Sequence, residues 1–446
     1  MGLDEVLGRA EVLLERGSPS SALMGFLVAD AYREMLKADF SMQNTGGVRA
    51  NISPGPITDI VPLERAAKGF VVTQYDMGPV EELGLIKIDL LSQRSLGVLA
   101  DAAAAVEENT GERPPVFDCD KVLADGPTRR LIREGRTMGC FYVESPAMRS
   151  LLRKLRTGTF EDLAAASSVI RPGVAESGMM QEYIGRHLRA RGYVQGPLTR
   201  PSPRGGEGGR IHRAPHPGPL PDRGEGGEVS WYLHPKLEEV LGETHGVMIY
   251  QEDVLRVAHV LAGMSLGEAD SLRRSMSGKM RSAEAMAAVR NSFLAGCAAG
   301  GVGPDVAAEV WRQVESFAGY AFCKAHSASY ALLSFQVAWL KAHRPAEFMA
   351  AVLSNGGGFY SAAAYISEAR RIGLRILLPD VNGSGRDYRG RGRELRIGLG
   401  AVGRLASASI DSLLEARDRG GPFTSLSDLT DRGGLDRSEA ETLIRC

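Results

Sequence analysis

Hydrophobic alternation is sharpest at Gly84-Leu85-Ile86-Lys87-Ile88-Asp89-Leu90-Leu91, where apolar residues recur at every second position and are interrupted by one lysine and one carboxylate. That period predicts a strand with Leu85, Lys87 and Asp89 on one face and Ile86, Ile88 and Leu90 packed inward. A shorter run, Val71-Val72-Thr73, stands upstream, and Ser92 to Leu99 opens a helix.

Helical spacing dominates the rest. Residues 1 to about 40 read as two helices parted by Gly17-Ser18-Pro19-Ser20, and Ala100 to Glu108 as an alanine-rich helix closed by Gly111 and Pro114-Pro115. Met138 to Pro146 reads as a short strand-like run. The helix after it carries Arg149, Arg153 and Arg156 at i, i+4 and i+7, on one face. An amphipathic helix follows Gly246-Val247-Met248-Ile249-Tyr250-Gln251-Glu252-Asp253 and ends near Gly263, and Ser265-Leu266-Gly267-Glu268 is a capping box that starts the next. Another begins at Gly303-Pro304-Asp305. A further helix, capped by Ser327 or Ser329, runs through Tyr330, Leu333, Val337 and Leu340 to Arg344-Pro345. The helical pattern then continues to about Arg371, before a small irregular unit opening at Ile376.

One stretch has neither period. From 196 to 228, Pro201-Ser202-Pro203-Arg204-Gly205-Gly206-Glu207-Gly208-Gly209 is echoed by Pro217-Gly218-Pro219-Leu220-Pro221-Asp222-Arg223-Gly224-Glu225-Gly226-Gly227, with almost nothing apolar to bury. Such a segment cannot offset the entropy of ordering, so a disordered insert is predicted. His212 and His216 fall inside it, where a glycine-proline background makes a weak metal signal.

Composition adds bounds. With 446 residues, 43% of them hydrophobic and 24% charged, the chain is long enough for two or three domains with real cores. Its net charge of −1 means that any nucleic-acid contact must come from local cationic faces. Five scattered cysteines without a C-x-x-C pair argue against a disulfide framework and a zinc ribbon, and fit a reducing cytoplasm. No run approaches the roughly 20 uninterrupted apolar residues of a membrane span, and no leader-like apolar region follows Met1. A cytoplasmic protein without a membrane partner is expected.

The candidate chemistry is cationic and acidic. Asp89 beside Lys87 is half of a metal and phosphate site, or else a solvated sheet face. The arginine stripe suits a phosphate backbone, or else is a solvated helix face. Arg171 stands on a turn made rigid by Pro172 and Gly173. Arg273 and Arg274 lie about 100° apart on a helix and can flank one ligand. Lys324 and His326 lie at a helix start, where cations are unfavourable unless an anion sits between; phosphate is the simplest such anion, and a buried, hydrogen-bonded His326 is the alternative. Cys323 reads as packing.

Taken in order, the Gly46-Gly47 turn, Ile57-Thr58-Asp59-Ile60-Val61-Pro62-Leu63, Val71 to Met77 and the Asp89 strand resemble the end of the palm domain of bacterial C-family DNA polymerases. Met138 to Pro146 and Ser168 to Met179 resemble stretches of that family's fingers domain. Ser271-Leu272-Arg273-Arg274-Ser275-Met276-Ser277-Gly278-Lys279 resembles its nucleotide-binding helix.

The resemblance implies an α+β, mostly α fold: a thumb and palm-sheet remnant with the Asp89 strand at 1–118, a helical fingers domain at 119–345 interrupted by the insert, and at 346–446 the last fingers part with a truncated helix-hairpin-helix-like region. It implies template-directed nucleotidyl transfer with Mg²⁺ bound at Asp89 and Lys87 as a phosphate contact. Arg273, Arg274, Lys279, Lys324, His326, Arg171, Arg149 and Arg153 would then face nucleotide or DNA phosphate. Implied partners are a DNA primer-template, deoxynucleoside triphosphates and, in the intact family, replisome subunits, the clamp-binding part having no match in this sequence.

The departures are specific. Asn44 replaces a histidine two residues before the paired glycines, and Arg404-Leu405-Ala406-Ser407-Ala408 stands where hairpin glycines approach DNA phosphate. No P-D-F-D-x-D-like strand supplies the other two palm aspartates. Two expectations follow: part of a DNA polymerase, leaning to the error-prone branch at Leu90 to Arg94 and Gly139 to Glu144, or a catalytically inactive nucleotide- or DNA-binding remnant.

Overall fold

The computed structural model describes residues 48–52, 56–65, 71–75, 77–90, 94–170, 178–193, 231–276, 283–317 and 323–446. The first two expected helices, the Gly46-Gly47 turn, Arg171, the 196–228 insert and Lys279 lie outside the described residues. The chain divides into two compact units, the first ending at Gly97 and the second beginning at Val98.

The first unit contains β1 (Val48–Ile52), β2 (Leu63–Arg65), β3 (Val71–Thr73), α1 (Met77–Glu82) and β4 (Ile86–Leu90). β1 pairs antiparallel with β4, setting Asp89 opposite Arg49 and Lys87 opposite Asn51, while β2 pairs with β3. Val61, Val80 and Leu85 form a small core with Ile57, Ile60 and Leu63 around it. Leu85, expected on the open face with Lys87 and Asp89, is instead buried. The chain leaves α1 through a left-handed Gly84 (φ +75°), and the Leu85 N–H donates to Val80 O at 3.2 Å, turning this side chain into the core before the strand begins.

Helix α2 (Arg94–Thr110) carries the chain into the second unit, which continues through α3 (Cys119–Ala124), α4 (Gly126–Arg133), α5 (Pro146–Leu155), α6 (Phe160–Val169) and α7 (Met179–Ala190). After the undescribed stretch come α8 (Lys236–Leu241), α9 (Gln251–Ala262), α10 (Leu266–Met276), α11 (Ala283–Ala299), α12 (Pro304–Phe317) and α13 (Lys324–His343). The protein is α+β and mostly α.

The second unit packs around α13, which contacts α3, α4, α6 and α14 (Pro345–Ser354). From Ala331 to Leu340 it buries Leu332, Leu333, Phe335, Val337 and Ala338 all round its circumference, the signature of an interior helix. Its buried polar groups are matched one by one. Ser327 Oγ lies 2.6 Å from Ser168 Oγ, Ser334 Oγ donates to Phe141 O at 2.9 Å, and Gln336 Nε2 donates to Val116 O at 2.9 Å. The expected Ser327 or Ser329 cap is not found because the helix begins at Lys324 and both serines lie inside it, Ser327 meeting Ser168 and Ser329 Oγ donating to Ala325 O at 2.9 Å.

Two further expectations change. Met138 to Pro146 is a succession of turns rather than a strand, with Gly139 at φ +85° and Tyr142 at φ +67° reversing the backbone. The arginine stripe is broken because α5 ends at Leu155 and Arg156 takes a left-handed cap conformation (φ 52°), its guanidinium over the Tyr193 ring.

The chain closes with α15 (Ala362–Arg371), β5 (Arg375–Leu377), β6 (Arg389–Arg391), β7 (Glu394–Arg396), α16 (Ser407–Gly420), α17 (Leu426–Gly433) and α18 (Arg437–Arg445). β7 is central, parallel to β5 and antiparallel to β6. β6 lies so close to the start of α14 that a Cβ on Gly390 would stand 2.0 Å from Ala346 O, so only glycine fits. Leu399, Ile410, Leu413, Phe423 and Leu429 form a separate core under the last three helices.

The loop between α14 and α15 is held by one buried carboxylate. Glu144 accepts from Gly139 N (2.9 Å), Phe359 N (2.7 Å) and Tyr365 Oη (2.7 Å). Tyr365→Phe is expected to destabilise this loop by about 2 kcal/mol, since a bond to a charged acceptor is lost. Faster amide exchange at Gly358 and Phe359 is the readout; unchanged exchange would mean that the loop is anchored elsewhere.

Candidate functional site

The start of α13 is the most fully described of the expected site elements. Cys323 is its N-cap residue and offers no side-chain cap; Glu252 on α9 supplies the acceptor instead. Its carboxylate takes the Lys324 N–H on Oε2 at 3.0 Å and the Cys323 thiol on Oε1 at 3.2 Å. An anion therefore does sit at this helix start, as the cationic sequence demanded, but it is a side chain of the protein. Lys324 Nζ donates to the Glu243 carboxylate and stands 5.6 Å from the centre of the Tyr250 ring.

Burial pushes the Cys323 thiol up, and its hydrogen bond to Glu252 adds to the shift, so it is a poor nucleophile, as its reading as packing implied. Asp253, next to Glu252, is buried and takes both the Ile249 and Tyr250 N–H groups on one oxygen at 2.8 Å each; burial raises its pKa to about 6. His326 lies against the Tyr330 ring at 4.1 Å, and Tyr330 packs edge-on to Phe141 and Tyr142.

The remaining candidates are dispersed over several elements. Lys87 and Asp89 stand on β4 in the first unit, and Arg273 and Arg274 stand on α10 in the second. Arg149 has an internal role: its Nε donates to Gly135 O at 2.9 Å and its NH1 contacts Tyr360 Oη at 3.3 Å. Arg153 is exposed near the end of α5. Among the described residues no three His, Cys, Asp or Glu side chains converge as a metal site, and no helix is long and apolar enough to cross a membrane.

Sequence reasoning missed two arrangements. At α16, Ala406 N–H donates to Glu439 Oε1 at 3.1 Å and Ser409 Oγ donates to the same oxygen at 2.7 Å, so the helix start that departs from the family's hairpin glycines carries an internal carboxylate. Between α7 and the turn after α8, His187 Nδ1 lies 3.4 Å from His245 Nε2 and 3.6 Å from Asp162 Oδ1, beside the buried Tyr183.

A small antiparallel unit followed by a large helical unit is the architecture that the resemblance to a palm end and fingers implies. Comparison with known families agrees. The description "Bacterial DNA polymerase III alpha NTPase domain" matches residues 36–92, and "Bacterial DNA polymerase III alpha subunit finger domain" matches 95–200 and 217–301, breaking inside the expected insert. A helix-hairpin-helix motif matches 373–446, and a 5′-nucleotidase C-terminal domain matches 6–61, overlapping the first of these.

The chain is 40% identical over 383 residues to the DNA polymerase III subunit alpha of Thermus aquaticus, covering 85% of this chain and 28% of the relative. The subunit alpha of Escherichia coli K12 is 35% identical over 410 residues (90% and 32%), and the error-prone DNA polymerase of Symbiobacterium thermophilum 34% over 419 (88% and 34%). The chain belongs to the bacterial C-family DNA polymerases, and spans about a third of the length of these relatives.

Proposed function

We propose that this chain is the palm-end and fingers portion of a DNA-directed DNA polymerase, and that on its own it binds deoxynucleoside triphosphate and primer-template without extending the primer. The tandem match of the DNA polymerase III alpha NTPase domain and finger domain on one chain carries this reading. Asp89 is the carboxylate for Mg²⁺, with Lys87 beside it. Arg273, Arg274, Lys279 and Lys324 neutralise the triphosphate, His326 and Arg171 line its approach, and Arg153 on the exposed end of α5 is available to DNA phosphate. Arg149 acts by holding Gly135 and Tyr360 in place.

Two-metal transfer requires several carboxylates around both ions. This sequence supplies one that matches the palm, which does not fit a complete site, and no transfer step is assigned to the chain alone. In titrations of the full chain with dATP and Mg²⁺, Arg273→Gln and Lys324→Gln are each expected to weaken binding about tenfold, the loss of one charge-assisted contact. Absence of dATP binding by the parent would overturn the reading. Mg²⁺-dependent primer extension that vanishes in Asp89→Ala would replace the binding-only part with an active polymerase.

A further inference from the structure

Two carboxylates meet Lys324, and they differ in kind. Glu252 is locked by two donors from the first residues of α13, the Cys323 thiol and the Lys324 N–H. Glu243 lies on the short turn Gly242–Thr244, has Lys324 Nζ as its one ion-pair partner among the described residues, and has a side chain 66% exposed against 39% for the lysine. An ion pair open to water on both sides contributes little net stability, because each charge is almost as well solvated apart. Glu243 can therefore leave when a stronger anion arrives, whereas Glu252 cannot leave without uncapping α13.

Resting on the reading of Lys324 as a triphosphate contact, we propose that Glu243 is an intramolecular competitor for Lys324 and thereby tunes nucleotide affinity. Its carboxylate occupies the ammonium that the phosphate tail needs, with the Tyr250 ring beside it. Binding must exchange one anion for the other, so the measured affinity is that of the contact minus that of the internal pair. Salt weakens the exposed internal pair, so the effect of removing Glu243 fades as ionic strength rises.

The test is a dATP–Mg²⁺ titration of the full chain as parent, Glu243→Gln, Lys324→Gln and the double variant, at low and high salt. Glu243→Gln is expected to tighten binding two- to fivefold at low salt, and the double variant to bind like Lys324→Gln. Unchanged affinity in Glu243→Gln, with Lys324→Gln still weaker than the parent, overturns the competitor role alone. Equal tightening by Glu243→Gln in the Lys324→Gln background also overturns it, since the effect would then be a general field. Parental affinity in Lys324→Gln overturns the reading on which the proposal rests.

Discussion

Replacing Lys341 by methionine is expected to cost the helical unit about 3–5 kcal/mol, because it strips one partner from a buried ion pair. Lys341 lies near the end of α13 with its side chain 2% exposed, and faces Glu368 of α15 at 3%. Its ammonium donates to Glu368 Oε1 at 2.7 Å and to Met138 O at 2.6 Å, tying the turns after α4 to α15 through the central helix. Arg371 adds two bonds of 2.7 Å to the same carboxylate from a half-exposed position. Burial alone would raise the Glu368 pKa, but Arg371 and Lys341 outweigh it and hold the group below its ordinary value.

Methionine replaces the lysine stem but not the charge, leaving a desolvated carboxylate with a single cationic partner and the Met138 carbonyl without its donor. Amide exchange along α13 measures the loss. A cost below about 1 kcal/mol would mean that Arg371 alone suffices. Adding Glu368→Leu to Lys341→Met should recover part of the stability, since no unpaired charge then remains.

The second large effect is a pH response where α7 meets the turn at His245. His187 is fully buried, its Nε2 3.1 Å from Leu155 O; His245 meets it edge-on at 5.4 Å, and Trp231 lies edge-on to His245 at 5.8 Å. Burial lowers both imidazole pKa values; for His245 the neighbouring His187 adds to the effect, Arg191 and Arg186 add less, Asp162 opposes it, and the result is about 4. A histidine with a depressed folded pKa binds fewer protons folded than unfolded between its ordinary value near 6.5 and its folded one. Stability is therefore full above about 6.5 and falls as the pH drops through that window towards 4, by about 2–3 kcal/mol for His245.

Asp253 works in the opposite sense. Its pKa is raised to about 6, so its contribution is full below the ordinary 3.8 and is lost as the pH rises through 6. Acidification thus relieves α9 while it charges the histidine pair. Segment-resolved hydrogen exchange at pH 7 and pH 5 separates the two: residues 179–190 should exchange faster at pH 5, after correction for intrinsic rates. His245→Asn, which tolerates the left-handed φ of 54°, should flatten that change. Equal protection of this helix at both pH values would sink the expectation.

What was legible in the sequence was local. β4 appears at Ile86–Leu90 because alternation reports a pleat, and the Ser265–Glu268 box forms with Ser265 N donating to Glu268 Oε2 at 2.8 Å because both partners sit within one turn. Pro304 opens α12 for the same kind of reason, a missing N–H where none is needed. Met138 to Pro146 was misread because an apolar run does not state its backbone sign, and Gly139 and Tyr142 both take positive φ. The Ser327 cap was misread because a serine near a helix start looks the same whether it caps its own helix or meets Ser168 across the core.

The sequence alone determined the family and the order of elements, since motifs in series and periodic burial are properties of neighbours along the chain. Only the tertiary structure decided which anion meets each cation. Glu252 reaches Lys324 across 72 positions, Glu243 across 81 and His245 reaches His187 across 58. No periodicity encodes such pairs; they exist because the fold brings the start of α13 to the start of α9 and to the turn after α8, and α7 to that same turn.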